Sequence, residues 1–201
     1  MANRVIAVIP ALLMALGLRG QEGPSRVGFA VGYASPQELH AAAGIAAGLN
    51  VHFNQGTPGE GRLRLEGVSF GVKTKRTSIT TLESQGSAWS VGYDWMPGNR
   101  NVRGILGIGG MHWSQRLVQQ DIINGVPGFR AYGGTKSGFS IVPTLGAQVR
   151  INPYLSVEAR YVIAANIGNN GKYYFTYSEN NEIREMRYFV LGVELRFPKL
   201  R

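Results

Sequence analysis

The chain contains no cysteine among its 201 residues. A disulfide framework and a thiolate metal site are both excluded. Charge is scarce as well. Asp, Glu, Lys and Arg make up 16% of the sequence, where about 25% is usual for a soluble domain. The three histidines, His40, His52 and His112, have no ligand spacing, so no metal centre and no cofactor is expected. After the first twenty or so residues no apolar run is long enough for a membrane-spanning helix. Mean hydropathy is −0.08, which excludes a helical membrane protein. Lys and Arg outnumber Asp and Glu by 21 to 12, a net charge of +9. The basic residues are scattered and make no contiguous face, so nucleic acid is not an expected partner.

What is abundant is glycine, 28 residues, together with period-two alternation. Glycine at this level argues against long helices and suits tight turns and crowded packing. The alternation is longest between Phe139 and Ile163. Phe139, Ile141, Leu145, Ala147, Val149 and Ile151 share one face, and Ser140, Val142, Thr144, Gly146, Gln148 and Arg150 the other. Asn152-Pro153-Tyr154 makes a turn. Leu155, Val157, Ala159, Tyr161 and Ile163 then alternate with Ser156, Glu158, Arg160 and Val162. Such a pattern specifies antiparallel strands with unlike faces. The second face is small, polar and charged together. It suits the crowded interior of a narrow barrel, with the apolar face turned to lipid.

The N-terminal segment MANRVIAVIPALLMALGLRGQ carries Arg4 ahead of an apolar stretch from Val5 to about Leu18. It reads as a secretory signal peptide over residues 1–21, cleaved near 17–21. A barrel domain is expected over 22–201. Its strands are Arg26–Ser35, Ala43–Asn54, Arg62–Val72, Ser87–Trp95, Gly104–Gln115, the two runs above, and Arg187–Phe197. The third shows a phase slip around Glu66-Gly67 that suggests a bulge. The fifth has glycines on both faces, which leaves its phase open. The segment Arg116–Lys136 is long, with room for a small hairpin around Asn124-Gly125. Connections after strands two, four and six are short and rich in Pro, Gly and Asn; those after three, five and seven are long. The fold class is therefore all-β: an eight-stranded, antiparallel, up-and-down transmembrane β-barrel with a filled lumen. Lipid cannot satisfy an open sheet edge, so the sheet must close. Trp89, Trp95, Tyr154 and Phe197 suit interfacial girdles.

These features resemble the small eight-stranded outer-membrane barrels, the group of the OmpA barrel, OmpX and the opacity proteins. The resemblance covers the leader, all eight strands and a last strand ending in an aromatic residue. It implies the bacterial outer membrane as location, outer-membrane lipid and lipopolysaccharide as surroundings, and the barrel-assembly machinery as a partner during biogenesis. Phe197 is followed by Pro198-Lys199-Leu200-Arg201, a departure from the terminal Phe usual in the group. The resemblance also implies a structural or surface-interaction role through the long loops, such as adhesion to an external ligand or envelope integrity, and no shared catalytic residues.

Three groups of residues are candidate sites. Gln148, Arg150, Glu158, Arg160, Glu194 and Arg196 are expected to form a lumenal polar network. An antiparallel register with Glu158 opposite Arg196 also brings Arg160 opposite Glu194, and the short turn sets Gln148 opposite Glu158 and Arg150 opposite Ser156. Charges in so narrow an interior must be paired. The network is read as a plug, with a gate that switches partners as the alternative. Lys73, Lys75 and Arg76 form a basic group suited to lipopolysaccharide or other anionic headgroups. His112 and Ser114 share a face, and some barrels of the group modify lipid A with His and Ser. A lipid A-modifying enzyme is thus one alternative function, although such a pair needs a third group to orient the imidazole. A soluble, secreted β-barrel with an apolar ligand inside is another; it requires the apolar faces to point inward.

Overall fold

The computed structural model describes residues 24–37, 42–55, 57–71, 74–76, 80–99, 101–167, 173–174, 182–183 and 185–198. Among the described residues there are twelve strands in chain order. They are β1 (Pro24–Pro36), β2 (Ala42–Phe53), β3 (Gly59–Gly71), β4 (Thr74–Arg76), β5 (Thr80–Pro97), β6 (Val102–Ile123), β7 (Val126–Ile141), β8 (Thr144–Asn152), β9 (Leu155–Asn166), β10 (Tyr173–Tyr174), β11 (Glu182–Ile183) and β12 (Glu185–Pro198). β7 and β8 are two parts of one barrel strand, interrupted at Val142-Pro143. Proline cannot donate to a ladder, yet its carbonyl still accepts from Ile163 N at 3.1 Å, and Val142 N donates to Gly109 O at 2.9 Å. Counting β7–β8 once, and setting aside the short β4, β10 and β11, eight strands form the wall.

Every wall strand is antiparallel to its neighbour, in the order β1, β2, β3, β5, β6, β7–β8, β9, β12. β12 returns to β1, from Gly28↔Arg196 to Pro36↔Tyr188, and closes the barrel. The short turns at one end are fixed by asparagine. Asn152 Oδ1 accepts from Tyr154 N at 2.8 Å and Leu155 N at 2.9 Å. Asn99 Oδ1 accepts from Asn101 N at 2.9 Å and Val102 N at 2.7 Å. An Asn side chain that replaces a backbone acceptor in this way sets a tight turn. At the other end the β6–β7 connection is a turn at Asn124 (φ 53°) and Gly125 (φ 79°), the two positive φ values of a hairpin turn.

Alternation around the wall gives one apolar outside. Val31, Leu49, Leu65, Val91, Tyr93, Leu106, Leu145, Val149, Leu191 and Val193 are all exposed. The soluble ligand-binding barrel is thereby overturned, because the apolar faces point outward. Two further expectations are corrected. β3 runs without a register shift through Glu66-Gly67 against both neighbours, so there is no bulge there. Val68 follows Arg62, Arg64 and Glu66 into the lumen. The hairpin expected around Asn124-Gly125 is present, but not as a separate unit: β6 and β7 themselves continue to that turn. The phase of β6 is now defined: Arg103, Ile105, Met111, Trp113 and Gln115 are buried, and Leu106 and Ile108 are exposed. Residues 1–23, which include the expected signal peptide, lie outside the described residues.

Candidate functional site: the lumenal network

The lumen near the short turns is filled with charge. On β3, residues 60–66 alternate Glu, Gly, Arg, Leu, Arg, Leu, Glu, and every charged one points inward. Arg62 lies at the centre. It reaches Asp94 on β5 through Nη2 at 2.7 Å and Nε at 3.0 Å, Glu158 on β9 at 2.5 Å, and Glu194 on β12 at 3.2 Å. One guanidinium therefore ties four walls of the barrel together. Its planar fork of donors suits this better than a lysine ammonium would.

The other pairs are arranged around it. Arg160 bonds both Glu66 carboxylate oxygens, and its Nε lies 2.8 Å from Glu158. Arg64 donates to Glu66 at 3.1 Å and to Thr144 Oγ1 at 3.2 Å. Glu60 accepts from Arg103, lies 3.0 Å from Arg196 Nη2, and has Arg150 at 3.5 Å. His52 bridges two carboxylates, with Nδ1 at 2.8 Å from Glu60 and Nε2 against Glu194. Gln148 Nε2 donates to Glu194 at 2.8 Å. Arg62, Arg64, Arg103, Arg150, Arg160 and Arg196 thus face Glu60, Glu66, Asp94, Glu158 and Glu194 in nearly matched number. Matching is what the dry interior of an eight-stranded barrel requires, since an unpaired ion there is very costly. Glycine makes the room. A Cβ at Gly146 would collide with the Ala159 carbonyl and lie 3.1 Å from Arg160 Cγ.

All six residues expected in the network point inward; five are buried, and the Arg150 side chain is 12% exposed. Gln148 does pair with Glu158, and Arg150 with Ser156, across the short turn. The register expected between the last two strands is wrong by four residues: Glu158 lies opposite Gly192, Arg160 opposite Val190, and Glu194 opposite Ser156. Glu158 and Arg196 are not direct partners. The partners of Glu158 are Arg62, across the lumen, and Arg160. His52, Glu60, Arg62, Arg64, Glu66, Asp94 and Arg103 were missed as members. The charged–apolar alternation of residues 60–66 was the available signal.

Toward the long connections the filling changes. Ala34, Ala46, Val68, Ala88, Met111, Trp113, Val142, Val162, Ala164, Met186, Tyr188 and Val190 make one apolar cluster. Trp113 packs so closely on Gly138 that a Cβ there would be 2.8 Å from the indole. Its Nε1 donates to Asn166 Oδ1 at 2.6 Å, an acceptor shared with Ser140 Oγ at 2.6 Å. Where the charged and apolar fillings meet, a gap lined in part by Glu66, Glu158, Arg160 and Val190 is too narrow to hold a water.

The other two candidate sites are not brought into this arrangement. His112 is on the outside, its ring 4.9 Å from Phe139 and 5.9 Å from Trp89 between centroids. Among the described residues no hydrogen bond joins it to Ser114. Lys75 and Arg76 lie on β4, paired with Leu82 and Thr81 of β5, while Lys73 lies outside the described residues.

A closed sheet with an apolar outside and a polar, filled inside defines a transmembrane β-barrel. No family model matches the chain, and no curated protein matches its sequence. Among solved structures it is similar to Ail, the attachment invasion locus protein of Yersinia pestis, which is an outer membrane protein. Identity is 14%, the TM-score is 0.52, and the match covers 88% of this chain and 100% of Ail. Ail in complex with the heparin analogue sucrose octasulfate matches at 15% identity, TM-score 0.52, with the same coverage. The N-terminal β-barrel domain of Pseudomonas aeruginosa OprF matches at 12% identity and TM-score 0.50, covering 87% of this chain and 99% of that domain. The chain therefore has the fold of the small eight-stranded outer-membrane barrels.

Proposed function

We propose that the protein is a bacterial outer-membrane barrel with a structural or surface-interaction role, carried by its long connections. The observation that carries this reading is the pairing of an apolar outside with a lumen closed twice, by ion pairs and by an apolar cluster. Such a lumen is a plug, which sets pore function aside. Residues 1–21 act as the export leader for the barrel of 22–201, and the assembly machinery reads β12, which carries Phe197 next to its end. The six network residues hold the wall in one register. Lys73, Lys75 and Arg76 meet lipopolysaccharide or an external anionic ligand. The protein is not an enzyme of lipid A. His112 is wedged edge-on against Phe139 and tilted against Trp89, with no bond to Ser114, which leaves no activated hydroxyl.

Cell fractionation with a heat-modifiability gel tests the location. The protein should pellet with outer membranes and change mobility on boiling, as closed barrels do. Recovery in the soluble fraction would overturn the proposal. In a planar bilayer the purified barrel should give almost no conductance, and steady ion current would refute the plug. Lipid A from cells with and without the protein should have the same mass spectrum.

A further inference from the structure

The β6–β7 hairpin ends in apolar side chains that its own membrane cannot cover. Phe129 is 76% exposed, Val126 64% and Ile123 62%, all at or near the Asn124-Gly125 turn. The strands below them are mixed, with Gln119, Gln120 and Asp121 beside Leu117, Val118 and Ile122 on one, and Thr135, Lys136 and Ser137 on the other. β7 makes its last pair with β9 at Ser140↔Asn166, and past that point it pairs, among the described residues, only with β6. From Ser140 to Val126 is fourteen residues, about 45 Å of strand. The hydrocarbon core of a bilayer is about 30 Å thick and is already spanned by the belt below. The tip therefore stands clear of the bilayer that holds the barrel. β5 supports the extension from the other side, paired to β6 as far as Thr80↔Asp121.

A hairpin tip is convex, and a convex apolar end suits a soft apolar medium that can close around it. The charge of the sequence on and beside this extension indicates which. Segments 72–86 and 113–137 contain Lys73, Lys75, Arg76, Arg116, Arg130 and Lys136 against only Glu83 and Asp121. Apolar side chains beside a basic surplus are the composition that binds anionic lipid interfaces. We infer that the tip docks on the anionic lipid surface of a second, apposed membrane, with Ile123, Val126 and Phe129 entering its headgroup–acyl boundary. This rests on the reading that the long-connection end faces away from the cell.

The test uses the whole barrel in phosphatidylcholine nanodiscs, mixed with vesicles containing phosphatidylserine and separated by flotation. The wild-type protein should float with these vesicles, less well with pure phosphatidylcholine vesicles, and less well at high salt. The Ile123→Ser/Val126→Ser/Phe129→Ser chain should bind about tenfold more weakly or worse, and its mobility shift on boiling should show that the barrel is intact. The absence of native cysteine makes Val126→Cys a single labelling site. An environment-sensitive dye there should brighten and shift to the blue on adding the vesicles. Wild-type protein that stays behind, a triple variant that floats equally well, or a dye that does not respond would each overturn the inference. So would tip substitutions that abolish only self-association of nanodiscs, or only capture of a protein ligand. All of this is read on purified protein, so failure here leaves the fractionation result standing.

Discussion

Near the short turns the lumen is filled by guanidinium and carboxylate groups; near the long connections it is filled by methyl, thioether and ring groups. The outside of the barrel is apolar at both levels. The two fillings solve the same problem of width with different tolerances. Ion pairs are directional, and each member must meet its partner or be stranded in a dry interior. Apolar groups need only volume and shape, and they forgive substitutions that keep both. The charged half therefore specifies which residue faces which, while the apolar half seals.

Arg62→Met is the substitution expected to separate the halves most clearly. It keeps the stem and removes the charge, leaving Asp94, Glu158 and Glu194 short of their shared partner. We expect a loss of about 5 kcal/mol, the upper end for a broken buried pair, measured by urea unfolding in lipid vesicles. An equal or greater stability would mean that the network is not dry. Trp113→Ala acts on the other half. It removes the largest fully buried side chain and should cost about 3–5 kcal/mol as a cavity. A loss below 1 kcal/mol would show that the cluster collapses into the gap and that sealing does not depend on the indole.

The contrast between the halves also explains what the sequence could and could not show. Faces were legible wherever inside and outside differ in polarity, as in Gln148 to Ile151 or Val157 to Arg160. They became illegible where the lumen turns apolar. The phase slip around Glu66-Gly67 suggests a bulge only because hydrophobicity no longer separates the faces at Val68; the ladder there is regular. Registers across short turns were legible, since a turn of fixed length leaves no freedom. The β9–β12 register was not, because the long connection between them imposes none. Charge matching along two adjacent strands could not replace it. The actual partner of Glu158 comes from β3 across the lumen, and such contacts leave no trace in local pairing. The long β6–β7 hairpin was half legible: Asn124-Gly125 marked its turn, but the mixed strands below it resembled a loop.

The belt outside provides a control that should ignore the division. Val157 faces outward on β9 between Val149 and Val193. Val157→Arg places a charge in lipid and should cost about 2–4 kcal/mol near the midplane. Ser156→Thr, its inward neighbour, should change little. If both variants unfolded at one urea concentration, the assignment of faces would be mistaken.

The smallest expected effect is the most discriminating, because it asks whether the charged half is a set of particular pairs or a diffuse field. Arg160 and Glu66 are bonded through both carboxylate oxygens. Glu158 and Arg196 are separated in the network by Arg62 and Glu194. Each single change to Gln strands at least one partner, so every single variant should be destabilised. The coupling in a double-mutant cycle removes that shared cost and reads the pair itself. For Glu66→Gln with Arg160→Gln we expect about 1–3 kcal/mol. For Glu158→Gln with Arg196→Gln we expect about 0.5 kcal/mol or less, since neither touches the other. Both cycles can be run by urea unfolding in the same lipid. Equal couplings would mean that the lumen averages its charges. A large coupling for the second pair alone would restore the register in which Glu158 faces Arg196, against the geometry that places Gly192 there.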